Sequence, residues 1–202
     1  SNGKYTVWDG TTFNFVTVYH FRNSAVRAMV WSHDGRLMVT GHHDGALEFR
    51  GRTMTYERAL QAHEHPVRAV AMAPTGAKLA SAGDDRLVKV WDVATAAQEH
   101  VLKGHVWDVR ALSWHPVQSL LASAGKDNTV RLWDPRAARE LFTLHPHNGT
   151  INALQWTPRG DALLSGSKDQ TLKVTDLRRL QVEGTYRGAG QEITTARWHP
   201  QQ

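Results

Sequence analysis

Histidine, serine and aspartate recur together three times along the chain, with the serine 18 and the aspartate 22 residues after the histidine. In two sets a tryptophan follows the histidine by 28 residues, and in the third set Thr175 takes that position. The sets are His63, Ser81, Asp85 and Trp91; His105, Ser123, Asp127 and Trp133; and His147, Ser165 and Asp169. These are the residue types of a hydrolase triad, in which histidine takes the serine proton and aspartate orients the histidine.

The repetition argues against that chemistry. A catalytic constellation is single and lies in one cleft, whereas this one occurs three times at a fixed spacing. The chain also lacks paired carboxylates in an active-site arrangement, and its short Gly188–Gly190 segment precedes a strand pattern rather than a phosphate-binding helix. We therefore expect the three sets to be structural and the protein not to be an enzyme.

The same spacing organises the whole chain into units of about 42 residues. Positions 8, 50, 91, 133 and 175 close successive units. Each unit has an apolar run, a turn with Asp, Gly or Pro, a short second strand, a tight turn, an alternating third strand and a returning fourth. The first runs begin at Val26, Val67, Val109, Ile151 and Ile193 and end at Trp31, Met72, Trp114, Trp156 and Trp198. Four short strands in each unit are typical of a propeller blade. No segment of the sequence shows the apolar spacing of an amphipathic helix.

With its recurring Gly-His and Trp-Asp positions, the chain resembles the WD40 repeat family along its entire length. The resemblance implies an all-β propeller, of which we expect about 4.5–5 four-stranded blades: a half-blade at 1–22, blades at 23–62, 63–104, 105–146 and 147–188, and the first strand of another within 189–202. Seven blades at this period need ~290 residues. We therefore expect an arc of a seven-bladed propeller, belonging to a longer chain.

In that family the four recurring residues form a buried hydrogen-bonded network that joins the strands of a blade. A neutral histidine can donate to a carboxylate while serine and an indole N–H satisfy the remaining partners. Some units depart from the pattern: Arg50 replaces the tryptophan in one unit and Thr175 in another, and Arg22 and Ala189 stand at histidine positions. We expect these units to lack a complete network, either through plain divergence of the repeat or because partners dock there.

Composition excludes several other classes of site. The chain contains no cysteine, which excludes disulfides, thiolate zinc sites and a cysteine nucleophile. Histidine-rich segments at 42–44, 63–65 and 145–147 bring potential metal ligands together, but their spacing suggests no fourth ligand. We expect neither a metal nor a cofactor, and no apolar run approaches the ~18 residues of a membrane span. The formal net charge of +5 is compatible with a nucleic acid or an acidic partner.

A narrower resemblance rests on four segments: residues 8–18 (WDGTTFNFVTV), 26–32 (VRAMVWS), 60–63 (LQAH) and 102–105 (LKGH). They are similar to the WD-repeat subunits of the eukaryotic cleavage and polyadenylation specificity factor. The resemblance implies a nuclear, non-catalytic propeller that sits on a three-propeller scaffold subunit. It also implies that the propeller, with a CCCH zinc-finger subunit, reads the AAUAAA polyadenylation signal of pre-mRNA.

The same resemblance implies that Phe15 stacks on RNA bases and that Val18 packs beside it. Such stacking contributes about 1–3 kcal/mol for each base. The alternative is that Phe13 and Phe15, two residues apart, share one strand face and fill the blade; we assign Phe13 to the core. The candidates for phosphate contacts are Arg22, Arg27, Arg50 and Arg52, unless they form a solvated face.

A second short motif suggests a different function. Trp133, Asp134, Pro135 and Arg136 resemble the Trp-Asp-x-Arg box of substrate receptors of cullin-type ubiquitin ligases, in which the arginine docks on a three-propeller adaptor. The alternative function is therefore a protein-only adaptor.

Overall fold

Antiparallel sheets make up the fold. The computed structural model describes residues 4–8, 11–12, 14–20, 23–188 and 190–198, and within them all regular secondary structure is β. Sheet I contains β1 (Lys4–Trp8) and β2 (Phe15–His20). Sheet II contains β3 (Val26–Trp31), β4 (Leu37–His42), β5 (Ala46–Gly51) and β6 (Tyr56–Gln61).

The remaining three sheets also have four strands each. Sheet III contains β7 (Val67–Met72), β8 (Lys78–Gly83), β9 (Val88–Asp92) and β10 (Gln98–Leu102). Sheet IV contains β11 (Val109–Trp114), β12 (Leu121–Gly125), β13 (Val130–Asp134) and β14 (Arg139–Leu144). Sheet V contains β15 (Ile151–Trp156), β16 (Ala162–Ser167), β17 (Thr171–Asp176) and β18 (Gln181–Arg187). Sequence neighbours pair in every sheet, so the predicted all-β blade architecture is confirmed.

The tight turn between the second and third strands forms because an aspartate caps it. In sheets III, IV and V the aspartate Oδ1 accepts the backbone N–H two residues further on, at 3.2, 3.2 and 3.0 Å. The residue after each aspartate has a positive φ, namely Arg86 at 68°, Asn128 at 63° and Gln170 at 68°. Aspartate turns favour such local side-chain bonds, and they fix the register of the hairpin.

Among the described residues, three apolar cores form where consecutive sheets face each other. Leu47 and Phe49 of sheet II pack with Val67 and Leu79 of sheet III. The same arrangement recurs between sheets III and IV and between sheets IV and V. Gly41 permits the close approach at the first of these interfaces, because a Cβ there would lie 2.5 Å from a methyl carbon of Val67. The second strands of sheets III, IV and V are therefore buried on both faces, and small or apolar residues make up most of their sequence.

Tryptophans at the end of the innermost strands tie neighbouring sheets together. Trp114 Nε1 donates to the carbonyl of Ala71 in sheet III, and Trp156 Nε1 donates to the carbonyl of Ser113 in sheet IV, both at 3.0 Å. The sequence repeat predicted these positions as strand ends. It did not assign them this contact between sheets, which is visible only when two units are placed side by side.

The structure contains no strand in residues 190–198, where the sequence predicts the first strand of another blade at Ile193–Trp198. The segment nevertheless contacts sheet V: Ile193 N–H donates to Ser167 O at 3.0 Å, and Trp198 N–H donates to Gln155 Oε1 at 2.9 Å. A strand requires a ladder of backbone bonds to a neighbouring strand.

The four larger sheets lie within the predicted units 23–62, 63–104, 105–146 and 147–188. Predictions on Phe13, Arg22 and Ala189 fall outside the described residues. Within the described part of the chain, no helix is long and apolar enough to cross a membrane.

Candidate functional site

The three recurring sets of residues each come together inside one sheet. In sheet III, His63 Nδ1 lies 2.7 Å from Asp85 Oδ2, and its Nε2 lies 2.7 Å from Ser81 Oγ. In sheet IV the corresponding distances from His105 to Asp127 and Ser123 are 2.8 and 2.7 Å. In sheet V, His147 lies 2.9 Å from Asp169 Oδ2 and 2.8 Å from Ser165 Oγ. Trp91 and Trp133 donate their indole N–H to the serine of their own sheet, at 2.8 and 2.7 Å.

The lowered pKa values of the aspartates show which atoms of these sets carry protons. Burial would raise the pKa of Asp127, but hydrogen bonds from His105 and Thr129 outweigh burial and lower the pKa to about 2. The pKa of Asp169 also falls to about 2, because bonds from Thr171, the backbone N–H of Asn148 and His147 outweigh burial. With an ionised carboxylate as acceptor, histidine Nδ1 carries the proton and Nε2 accepts the serine hydroxyl.

This arrangement has the hydrogen-bond pattern of a triad, but its serines are enclosed. Ser81, Ser123 and Ser165 are buried in the second strands of their sheets. In sheets III and IV the serine oxygen also accepts an indole N–H. The serine hydroxyl therefore already donates to histidine and accepts from tryptophan. The residues therefore join strands, because one polar chain connects the turn, the second strand and the third strand.

Sheet II replaces this network with a different buried cluster. Arg50, which stands where the tryptophan would be, pairs with Glu48 through Nη2 and Oε1 at 2.5 Å and also donates to the carbonyl of Met54. His42 Nε2 lies 2.9 Å from Thr40 Oγ1 and 3.6 Å from Glu48 Oε2. Glu48 is only 1% exposed. The sequence predicted an incomplete network here but not this cluster; the signal that could have shown it is the simultaneous change at positions 42, 48 and 50.

Phe15 and Val18 lie on the same face of sheet I because of a bulge. Trp8 pairs with Phe15 and Val7 pairs with Thr17, which leaves Val16 as an extra residue in β2. Residues three apart on a regular strand point to opposite faces, but one inserted residue reverses that alternation. Phe15 is 53% exposed and Val18 is 37% exposed. Together they present an apolar surface on one side of the sheet, which we call the Phe15–Val18 face.

The arginines proposed for phosphate contacts divide into two kinds. Arg27 and Arg52 are exposed, and Arg27 Nη2 lies 3.3 Å from His43 Nδ1. Arg50 is not a surface residue, because its guanidinium is mostly enclosed and paired with Glu48. Its assignment as a candidate phosphate ligand is therefore corrected. Arg22 lies outside the described residues.

The histidine-rich segments do not converge on a metal site in the described part of the chain, where no group of three or more potential ligands is found. His63 and His147 instead bind aspartate and serine. The second candidate motif ends in a turn, where Arg136 N–H donates to Asp134 Oδ1 at 3.0 Å. The Arg136 side chain is exposed there.

Comparison with known proteins places these features in context. The family model for the WD domain, G-beta repeat, matches residues 13–48, 54–92, 97–134 and 138–176. Polyadenylation factor subunit 2 of Cryptococcus neoformans var. neoformans serotype D is 32% identical over 96 residues, which cover 48% of this chain and 14% of that protein. The protein of the same name from Candida albicans is 33% identical over 91 residues, or 45% of this chain and 17% of that protein.

A relative with a different name matches to a similar extent. Anaphase-promoting complex subunit cdh1 of Dictyostelium discoideum is 36% identical over 103 residues, which cover 48% of this chain and 13% of that protein. The chain thus spans less than a fifth of the length of each of these three relatives.

Proposed function

The chain belongs to the WD-repeat family, and from that premise we propose that it is a non-catalytic, RNA-binding subunit of an mRNA cleavage and polyadenylation complex. The matches to proteins named polyadenylation factor subunit 2 support a role in mRNA 3′-end processing. That role implies a nuclear location. Relatives with different names match this chain to a similar extent. We choose this function because the segment from Trp8 to Val18 resembles the polyadenylation subunits.

The observation that carries the proposal is the Phe15–Val18 face. An aromatic ring and an aliphatic side chain are exposed on one side of a short sheet, and a bulge brings them to that side. An exposed ring stacks on any unpaired base, and an aliphatic neighbour excludes water from the edge of the stack. A base pair buried in a duplex is not available to such a ring, so the matching ligand is single-stranded RNA.

The proposed RNA is the AAUAAA signal, and the proposed partners are a three-propeller scaffold subunit and a CCCH zinc-finger subunit. A single stacking face does not distinguish one sequence from another, because every base has a π-face. Sequence discrimination then requires base-edge contacts from the zinc-finger subunit, and this chain supplies stacking. The exposed guanidiniums of Arg27 and Arg52 are suited to phosphate contacts.

The proposed lack of catalysis rests on the three serine-centred sets. Each has a histidine able to act as a base, but the serine of each is enclosed by its own sheet and its neighbours. These sets stabilise the scaffold that presents the Phe15–Val18 face.

Reconstituting the polyadenylation complex with variants of this chain tests the proposal. Equilibrium binding of a fluorescent RNA that contains AAUAAA is measured for wild type, Phe15→Ala and Phe15→Trp. Loss of about 1–3 kcal/mol of stacking corresponds to about 5- to 150-fold weaker binding by Phe15→Ala. Phe15→Trp retains a stacking ring and is expected to retain affinity.

Tyr56→Ala is the matched control. Tyr56 is 60% exposed and begins β6, where it pairs with Arg50 across a bulge as Phe15 pairs with Trp8. It is therefore an exposed ring at the equivalent position of the next sheet. Equal affinities of wild type and Phe15→Ala, or equal losses in Phe15→Ala and Tyr56→Ala, would contradict the proposed role of Phe15.

The second candidate function is a protein-only adaptor, such as a substrate receptor of a cullin-type ubiquitin ligase. The exposure of Arg136 at the end of a Trp-Asp-Pro-Arg turn favours it. This function predicts that Arg136→Ala abolishes co-purification of a three-propeller ligase adaptor and leaves RNA binding unchanged. Co-purification of polyadenylation subunits with both wild type and Arg136→Ala would exclude this candidate.

A further inference from the structure

A groove of about 490 Å³ opens between sheets IV and V, on the side away from the capped turns of the networks. We call it groove IV/V. Leu141 and Phe142 of β14 line one side, and Leu177 and Leu180 of the turn after β17 line the other. Phe142 and Leu180 are exposed to solvent. The groove thus presents apolar side chains that neither sheet covers.

Bonds between the two sheets hold the walls of groove IV/V in place. His115 Nδ1 accepts the backbone N–H of Gln118 at 2.8 Å, so its proton lies on Nε2, which donates to Gly160 O at 3.1 Å. Burial lowers the pKa of His115, which agrees with a neutral ring. The ring also packs edge-on against Trp156 at a centroid distance of 4.6 Å. A groove with fixed walls loses little conformational entropy when a ligand enters.

The rim of groove IV/V carries positive charge. Arg159 and Arg178 line the groove together with Asp161, whose pKa is lowered by the hydroxyl of Thr157 and also by the charges of both guanidiniums. Two positive charges thus face one carboxylate there. The nearby carboxylates are engaged in their own turns. Asp161 accepts the hydroxyl of Thr157 at 2.7 Å, and Asp176 accepts the backbone N–H groups of Arg178 and Arg179.

The equivalent groove between sheets III and IV is different. Its lining includes Lys78, which binds Asp92 at 3.0 Å and also contacts Glu99. Lys78 is neutralised within its own sheet, whereas Arg136, at the position equivalent to Arg178, also lines this groove and is exposed. Groove IV/V therefore differs by having a second guanidinium beside its apolar floor, because Arg159 stands where Val117 lines the other groove.

We propose that groove IV/V docks a segment of a partner protein in which a large apolar side chain is flanked by Asp or Glu. The apolar side chain enters between Phe142 and Leu180, where its burial is favourable. The carboxylates bind Arg159 and Arg178, whose planar donors suit bidentate contacts. This surface is separate from the Phe15–Val18 face, so the proposal does not depend on RNA binding.

Selection of peptides on the 202-residue chain tests the proposal directly. A random dodecapeptide phage library is selected on the immobilised chain, and the most enriched peptide is synthesised with a fluorescent label. We expect enriched peptides to combine Leu, Ile, Phe or Met with adjacent acidic residues. Anisotropy then gives the affinity of that peptide for wild type, Arg159→Glu/Arg178→Glu and Phe142→Ser.

The control is Arg86→Glu/Lys103→Glu, which makes the same charge change on exposed residues at the opposite end of the sheets. We expect the two groove variants to bind the peptide at least about tenfold more weakly than wild type, because they lose charge-assisted hydrogen bonds or apolar contact. The control should bind it as wild type does. Circular dichroism melts establish that the variants are folded; for a variant that is not folded, Arg159→Gln/Arg178→Gln replaces the charge reversal.

Three outcomes would overturn the proposal. One is a selection that enriches no peptide, or only basic ones. Another is an acidic peptide whose affinity falls equally in the groove variants and in the control. The last is that a labelled oligouridine binds wild type and binds Arg159→Glu/Arg178→Glu more weakly, whereas no peptide shows such a loss. That result would make the groove a nucleic-acid surface.

Discussion

Replacing Asp127 by asparagine removes one charge from a buried network and keeps the size of the side chain. Asp127 Oδ2 accepts from His105 Nδ1 and the backbone N–H of Val106, at 2.8 and 3.2 Å. Its Oδ1 accepts the hydroxyl and the N–H of Thr129, at 2.8 and 3.2 Å. An asparagine has only one acceptor atom, so its amide N–H₂ must face donors on one of the two sides. The Asp127→Asn variant therefore cannot satisfy all of these bonds.

The pKa of Asp127 gives the size of the electrostatic effect. The difference between the ordinary value of 3.8 and about 2 corresponds to about 2 kcal/mol of stabilisation by the ionised form. The mispaired amide adds a cost of about 1–3 kcal/mol. We therefore expect the free energy of unfolding to fall by about 3 kcal/mol or more at pH 7.

The pH dependence has a definite sign. Because the folded pKa lies below the ordinary pKa, the carboxylate stabilises the fold above pH 3.8 and loses that contribution as the pH falls towards 2. The stability difference between wild type and Asp127→Asn should shrink below pH 4. Urea unfolding followed by tryptophan fluorescence measures it at each pH.

Asp134→Asn is the control, because Asp134 accepts backbone N–H groups in a surface turn that asparagine can also form. We expect a change within about 0.5 kcal/mol for this variant. A loss below that size in Asp127→Asn at pH 7, or an equal loss at pH 7 and pH 3, would refute the network reasoning.

Three further changes test other parts of the structure by the same unfolding measurement. Glu48→Gln leaves the enclosed Arg50 guanidinium without its counter-charge and should destabilise the chain by about 3–5 kcal/mol; an effect under 1 kcal/mol would mean that the pair is solvated. Gly160→Ala places a Cβ 2.3 Å from His115 at a φ of +76° and should cost about 1–3 kcal/mol, whereas an unchanged midpoint would contradict the close contact. Trp156→Phe removes the indole bond to the neighbouring sheet and should cost about 1–3 kcal/mol, with Trp107→Phe, an exposed ring, as the neutral comparison.

Repetition made most of the fold predictable. A blade buries its faces against its neighbours, so the positions that face those neighbours recur at the period of the repeat. The spacing of His105, Ser123, Asp127 and Trp133 could be read as a structural set because it occurs elsewhere in the chain. The strand predicted at Ile193–Trp198 is absent from the structure, because the residue pattern is present there but a strand also needs a neighbouring strand to pair with.

Features that occur once were harder to predict. The cluster of His42, Glu48 and Arg50 depends on three changes that compensate one another only when β4 and β5 are paired in register. The bulge at Val16 cannot be read from the sequence, yet it decides that Phe15 and Val18 share a face. Strand alternation alone would have separated them. The candidate residues could thus be named from the sequence, while their common surface required the backbone.

Photo-crosslinking tests the central claim of RNA contact most directly. An AAUAAA RNA with 4-thiouridine at its uridine is bound to the reconstituted polyadenylation complex, irradiated and digested, and crosslinked peptides are identified by mass spectrometry. We predict a crosslink in the peptide that contains Phe15 and Val18, lost in Phe15→Ala and retained in Tyr56→Ala. Crosslinks confined to other subunits, or to sheets II–V of this chain, would contradict RNA binding by the Phe15–Val18 face.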